Sequence, residues 1–407
     1  LIKAEIMMNF ITIIITCILA GAEVDLFIPS FPELQKEFGL TPFLVELTLS
    51  VNMIAYCVGS LIAGNMGDKY GRKKVILLGM FIFLIGSLLC IFASSFYIML
   101  IGRVLQGLGV SAPAVLSFVI IADEYPIEKQ QELMGVLNGV IALAMSLAPI
   151  IGSYVNLYFG WHGNFVVLFL LCAVGMVMCQ VYIKETAPRQ EVSLSVKSYF
   201  PILRSTKANL YIASICLFVM PYWVFIALAP ILYITDIGVP LHEFGFYQGA
   251  LAGTFGIVSL LSGRFIKIIG NRNYFIIGCI FCMAAIFSIT IISALGVMDP
   301  MVITACVLLF SIGVVPVVNL LYPHSLESVH NAKGRVAAWL QAVRLIITAL
   351  SIGFVSANYK GEFDILGFFI AISLMAALIC TIITISRYKV FPRTAKEFES
   401  EEPAHFI

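Results

Sequence analysis

Charged side chains make up only 12% of the 407 residues, about half the roughly 25% carried by soluble domains. The hydrophobic share is 61% and the mean hydropathy is +1.02, which excludes a water-soluble globule. A formal net charge of +1 offers no basic field for nucleic acid. Only five histidines occur (162, 242, 324, 330 and 405), all expected at helix ends or in loops. No nucleophile–base set or cluster of ligating residues accompanies them, which argues against an enzyme. No Walker-type phosphate loop is present, so direct drive by ATP is not expected. The ten cysteines (17, 57, 90, 172, 179, 216, 279, 282, 306 and 380) all fall in apolar runs, where cysteine acts as a small hydrophobe. Cys279-x-x-Cys282 lacks a second ligand pair, so neither a metal nor a cofactor is expected.

Long apolar runs fill the space that charge leaves. A hydrocarbon core of roughly 30 Å needs about 20 apolar residues per helix. Twelve runs qualify, at 6–32, 43–66, 75–95, 97–121, 132–158, 163–183, 209–234, 244–268, 273–296, 300–323, 335–358 and 363–386. The expected fold class is an all-α membrane protein with twelve transmembrane helices. The first run has no small-residue cleavage site and outlasts a signal peptide, so it reads as a retained helix. Orientation follows from Lys and Arg. With the N-terminus inside, 20 of the 24 cations fall in cytoplasmic segments, only Lys36 and Lys360 fall outside, and Arg103 and Arg344 lie within helices. Both termini are therefore expected in the cytoplasm. The longest polar connection divides the chain into six helices in 1–184 and six in 209–390, with a cytoplasmic linker at 185–208 and a cytoplasmic tail at 391–407.

Between the second and third runs lies a polar island, Gly64-Asn-Met-Gly-Asp68-Lys69-Tyr-Gly71-Arg72-Lys73-Lys74. Gly64 and Gly71 are echoed by Gly263 and Gly270 after the eighth run, again among cations (Arg264, Lys267, Arg272). Lys267 stands where the first copy has Asp68, so the internal repeat is degenerate. Asp68 can accept hydrogen bonds from helix N-termini and pair with Arg72, latching one face. A purely topogenic basic loop is the other reading.

The island resembles the loop signature of the major facilitator superfamily, Gly-x-x-x-Asp-Arg-x-Gly-Arg-Lys, with Lys69 at the usual first Arg. Asp25-Leu-Phe-Ile-Pro29-Ser-Phe-Pro32 is similar to the Asp-Met-Tyr-Leu-Pro-Ala-Leu-Pro element of Bcr/CflA-type drug:proton antiporters. Arg103-Val-Leu-Gln106-Gly107 resembles the superfamily's Arg-x-x-Gln-Gly motif. Gly139, Pro149 and Gly152 resemble the antiporter motif of helix 5, with Ala148 where a Gly usually precedes the Pro. Trp161-His162-Gly-Asn-Phe165 resembles that subfamily's Trp-Arg-Trp-x-Phe in helix 6, His162 standing for Arg. The likeness is strong over 20–190 and weaker in the second half. It implies the major facilitator fold, two pseudo-symmetric six-helix bundles around a midplane site. It also implies a monomeric, proton-coupled exporter of small amphipathic molecules, drugs or endogenous metabolites, working by alternating access in the inner (cytoplasmic) membrane. The alternative is a dedicated metabolite or siderophore carrier, importing by proton symport and preferring an anionic or zwitterionic substrate. Small-molecule substrate, protons and the lipid bilayer are the expected partners.

Charge at a helix centre costs at least ~2.5–3.5 kcal/mol on insertion scales and marks function. Asp25 lies roughly 12 Å below the outer end of helix 1, and Arg103 roughly 9 Å below that of helix 4. They lie at comparable depth on two helices that, as the resemblance implies, both line the central cavity, and are the expected proton-coupling pair. A static Asp–Arg pair is the competing account. Glu23, two residues or about 200° from Asp25 on a helix, is an accessory acid. Arg344 lies roughly 14 Å into helix 11, with Gln341 one turn earlier on the same face. It either recognises an anionic group or pairs with backbone carbonyls, Asp25 or Glu23. Asn52, Tyr56, Tyr222, Trp223, Tyr247, Gln248 and Asn319 complete the expected substrate pocket. Gly64, Gly71, Asp68 and Arg72, with the small-residue seam of Gly139, Pro149 and Gly152, form the expected latch and gate.

Overall fold

The computed structural model describes residues 2–40, 42–186, 196–388 and 391. The linker stretch 187–195 and the tail from 392 onward lie outside the described residues. The elements are α1 (Ile2–Asp25), a 3-10 turn at Ile28–Ser30, α2 (Phe31–Phe38), α3 (Pro42–Tyr70), α4 (Arg72–Ile91), α5 (Phe96–Glu124) and α6 (Ile127–Tyr182). After the linker come a 3-10 turn at Val196–Tyr199, α7 (Phe200–Arg204), α8 (Thr206–Pro230), α9 (Leu241–Ala294), α10 (Pro300–Leu326), α11 (Lys333–Asn358) and α12 (Phe363–Tyr388). No strand occurs among the described residues.

Among the described residues ten helices are long and apolar enough to cross a membrane, and two of them do so twice. At 56 and 54 residues, α6 and α9 would each run roughly 80 Å at 1.5 Å per residue, far beyond a hydrocarbon core of about 30 Å. Each breaks at one glycine in a conformation that L side chains rarely adopt, Gly160 at φ 66° and Gly270 at φ 79°. Twelve crossings result, so the start of α1 and the end of α12 share one face of the molecule, the terminal face.

The helix ends depart from expectation where polar residues and prolines intervene. The first helix does not run to residue 32. It stops at Asp25, because Pro29 and Pro32 cannot donate to a continuing ladder and instead occupy the first turns of the 3-10 turn and of α2. The polar island is hardly a loop. α3 carries Asp68 and Lys69 in its last turn, α4 begins at Arg72, and Gly71 alone makes the turn at φ 104°.

Within the first six crossings α5 packs between α3 and α4, and α1 lies against α6. Within the second six, α10 packs on α9, and α8 lies between α11 and α12. The two groups meet along α3–α11 and α6–α9. Phe81, Leu170, Phe287 and Ile372 remain exposed on the outer flanks, where hydrocarbon rather than water is the natural solvent.

Candidate functional site

At the terminal face the two groups of helices are tied together. Asp68 is about 1% exposed in its side chain. Its Oδ1 accepts from Arg72 Nη1 at 2.6 Å and from the Gly334 amide at 3.0 Å. Its Oδ2 accepts from the Arg335 amide at 3.1 Å and from Arg335 Nε at 2.9 Å. The carboxylate thus caps the N-terminus of α11, where backbone amides and the helix dipole favour an anion. Arg72 Nε reaches Asp123 at 3.0 Å, and Lys333 reaches Asp123 at 3.4 Å and Glu327 at 2.6 Å. Gly64 makes the approach possible: a Cβ there would sit 2.4 Å from Ala338 Cβ and from the Gly334 carbonyl.

The short helical piece of the linker lies on this seam. Arg335 Nη1 donates to the Ser198 carbonyl at 3.0 Å, and the Tyr199 hydroxyl donates to the Leu61 carbonyl. Burial, with the Asp68 charge adding to it, pushes the Tyr199 hydroxyl above the usual phenol range, which keeps it a donor.

The α6–α9 seam is the counterpart. Lys267 Nζ meets Glu132 Oε1 at 3.0 Å and Lys129 Nζ meets its Oε2 at 2.9 Å. Nearer the middle, Asn138 donates to Asn319 Oδ1 at 2.8 Å and Asn319 donates to Ser262 Oγ at 3.0 Å. A Cβ on Gly139 would meet Leu260 and the Gly256 carbonyl. Together these contacts shut the two groups of helices against each other toward the terminal face.

Deeper lies a buried charge network. Glu23 Oε1 accepts from Arg103 Nη1 at 2.9 Å and from Asn52 Nδ2 at 2.7 Å. Arg103 Nη1 also donates to Gln106 Oε1 at 2.8 Å, Gln106 Nε2 donates to Ser87 Oγ at 2.9 Å, and Asn52 Nδ2 donates to the Arg103 carbonyl at 3.0 Å. The guanidinium lies 5.2 Å from the centroid of Phe27. Arg103 therefore pairs with Glu23, not with Asp25 as its depth suggested. Counting depth from residue 32 misplaces Asp25, because the helix ends at Asp25 itself. Glu23, about 3 Å deeper and on the other face, meets Arg103. Asp25 is half-buried and has no hydrogen bond or ion pair with any described residue. It lies within electrostatic reach of Glu23 and, across the cleft, of Tyr222.

The remaining expected residues are spread over several settings. Asn52 is committed to the Glu23 network and Asn319 to the α6–α9 seam. Gln341 Nε2 donates to the Tyr56 hydroxyl at 2.9 Å, bridging α11 and α3. Half-buried Arg344 is within electrostatic reach of Tyr56 and Tyr322. Tyr222 packs on Trp223 and Phe255. Tyr247 and Gln248 line a small apolar cavity inside the second half with Tyr233 and Phe244, and so do not join the Arg344 group. Gly152 serves α1: a Cβ there would lie 2.1 Å from the Leu26 carbonyl. Pro149 lies one turn earlier in α6. Glu132, Tyr199 and Tyr322 were missed by sequence reasoning. Each sits among ordinary neighbours, in a helix start, a linker and an apolar run, and only their partners across the cleft distinguish them.

Residues 13–352 match the Major Facilitator Superfamily. The chain belongs to the major facilitator superfamily. It is a multi-pass membrane transporter and not an enzyme. The chain is 26% identical over 351 residues to the uncharacterized MFS-type transporter YdgK of Bacillus subtilis, a match covering 84% of this chain and 86% of that one. It is 27% identical over 255 residues to the bicyclomycin resistance protein homolog of Haemophilus influenzae, covering 61% and 64% of the two chains. That second match spans slightly less than two thirds of the relative's length. Among solved structures, the human organic anion transporter MFSD10 (TETRAN) superposes with a TM-score of 0.75 at 15% identity, covering 92% of this chain and 98% of that one. At that identity the likeness speaks for the fold alone.

Proposed function

We propose that this superfamily member exports small amphipathic molecules in exchange for protons across the inner membrane, with the terminal face in the cytoplasm. The asymmetry of Lys and Arg supports that orientation, and the similarity to a bicyclomycin resistance protein homolog supports export of drug-like molecules. In this reading residues 1–184 form the proton-coupling half and residues 209–390 the substrate-selecting half, and the protein works as a monomer.

One observation carries the coupling assignment: the two acids in the last turn of α1 have different surroundings. Glu23 is held by Arg103 and Asn52. Asp25 is held by no described residue and is half-buried. A carboxylate without a counter-charge is open to a proton, whereas one held by a guanidinium is not. A substrate entering the cleft changes the solvation and charge around Asp25 and so displaces the proton. With the cytoplasmic end shut, Asp25 loads from outside. The latch then yields, substrate replaces the proton inside, and the cleft reopens outward.

Reconstitution in proteoliposomes, with substrate flux and internal pH read together, tests this. Proton movement opposite to substrate is the expected result, and Asp25→Asn is expected to abolish coupled transport. Co-directional movement would establish symport, the mode of a metabolite or siderophore importer. Undiminished coupling in Asp25→Asn would remove the role from this residue.

A further inference from the structure

Arg344 is a cation with no counter-ion among the described side chains. It sits eleven residues into α11, roughly 16 Å from its start, half-buried, and its buried Nε has no hydrogen-bond partner. It forms no ion pair with any described residue. The acids among the described residues of the second half lie at helix ends or in loops. Asp236 accepts the Tyr359 hydroxyl, Asp299 caps α10, Asp364 accepts from the following amide and Glu327 pairs with Lys333. Of the buried acids of the first half, Glu23 is taken by Arg103 and Asn52, and Asp68 by Arg72 and the start of α11. A guanidinium kept in membrane interior without a protein carboxylate is costly and is suited to an anion supplied from outside the chain.

The surroundings add donors rather than acceptors. Tyr56 and Tyr322 lie within electrostatic reach of Arg344. The Tyr56 hydroxyl accepts from Gln341, which leaves its own hydrogen free to donate. The Tyr322 hydroxyl has no hydrogen-bond partner among the described residues, while its ring is fixed against Phe118 at 5.1 Å.

We propose that Arg344, assisted by the hydroxyls of Tyr56 and Tyr322, is an anion subsite, and that the transported molecule is an amphipath bearing a carboxylate beside an aromatic or apolar body. This deepens the transport reading and rests on it only for the cleft being the route. It also gives two charges separate roles, Asp25 on α1 for the proton and Arg344 on α11 for the cargo.

The test is binding without a gradient. The purified full chain in detergent is titrated with naphthoate and pyrenebutyrate, each beside its methyl ester, and the rise in thermal unfolding midpoint is read. The acids should stabilise the protein and the esters should not. Arg344→Gln should weaken acid binding by roughly tenfold or more, the size of one lost charge-assisted hydrogen-bonded contact. Arg344→Lys should restore part of it, and Tyr322→Phe should weaken it by about threefold, within the range of one neutral hydrogen bond. Should Arg344→Gln fail to fold, the Tyr322→Phe titration and the wild-type ratio of acid to ester decide the matter in its place. Equal binding of acid and ester, binding of the ester alone, binding of neither, or unchanged acid binding in Arg344→Gln each overturn the proposal. No proton gradient is involved, and every variant in this titration keeps Asp25. A failure of coupling in proteoliposomes is therefore distinguishable from a failure of this subsite.

Discussion

Glu23 and Asp25 lie two positions apart on one helix, yet their environments differ enough to separate stability from coupling. Glu23 is 2% exposed and Arg103 is fully buried. Removing one member of such a pair leaves an uncompensated buried charge, at about 3–5 kcal/mol. Glu23→Gln is therefore expected to lower the thermal unfolding midpoint clearly in detergent. Asp25→Asn, which breaks no contact with a described residue, should leave that midpoint near wild type while abolishing proton movement. The opposite ranking in an unfolding assay would show that Asp25 is the structural acid. Arg103 makes both of its side-chain links, to Glu23 and to Gln106, through Nη1, while its Nε and Nη2 are buried without partners.

At the scale of the helix, two close approaches have opposite consequences. Gly152 lets α6 touch the end of α1 within one half, where the contact belongs to the folded bundle whichever way the cleft opens. Gly64 lets α3 touch α11 between the halves, and that contact exists only while the terminal face is shut. Gly152→Leu should therefore reduce folded yield, because a side chain would be driven into the Leu26 carbonyl. Gly64→Val should leave the protein folded but open the terminal face. Spin-label distances between the terminal ends of α3 and α11 would lengthen by several ångströms in Gly64→Val, an amount on the scale of gating motions between packed helices. Unchanged distances would mean that the seam closes without Gly64.

Across the whole molecule the pseudo-repeat produces two latches of inverted polarity. In one, the acid Asp68 on α3 is buried and accepts four hydrogen bonds from Arg72 and the start of α11. In the other, the cation Lys267 on α9, 65% exposed in its side chain, reaches Glu132 at the start of α6. Exposed ion pairs contribute about 0–1 kcal/mol and are screened by salt, whereas a buried carboxylate held by several charge-assisted bonds is not. Asp68→Asn should shift the population of closed terminal faces strongly, and Glu132→Gln only slightly. Raising ionic strength should remove the Glu132 effect and spare that of Asp68, again read by spin-label distances. Equal effects from the two variants would mean that the seams share the load.

Much of this architecture was legible in the chain itself. Long apolar runs, cations gathered on one side and the residues of the polar island led to twelve crossings, two halves and the superfamily, because membrane insertion and helix length are local matters of hydropathy and charge. The existence of Asp25, Arg103 and Arg344 as interior charges was equally plain. Their pairing was not. Helix register and the early end of α1 at Asp25 decided that Glu23 meets Arg103, and the way α11 packs decided that Arg344 meets no carboxylate among the described residues. Partners such as Asp68 and the amides of Gly334 and Arg335 lie hundreds of residues apart. Composition and hydropathy determine which segments enter the membrane, but only tertiary packing determines which buried charges find each other and which are left for a proton or a substrate.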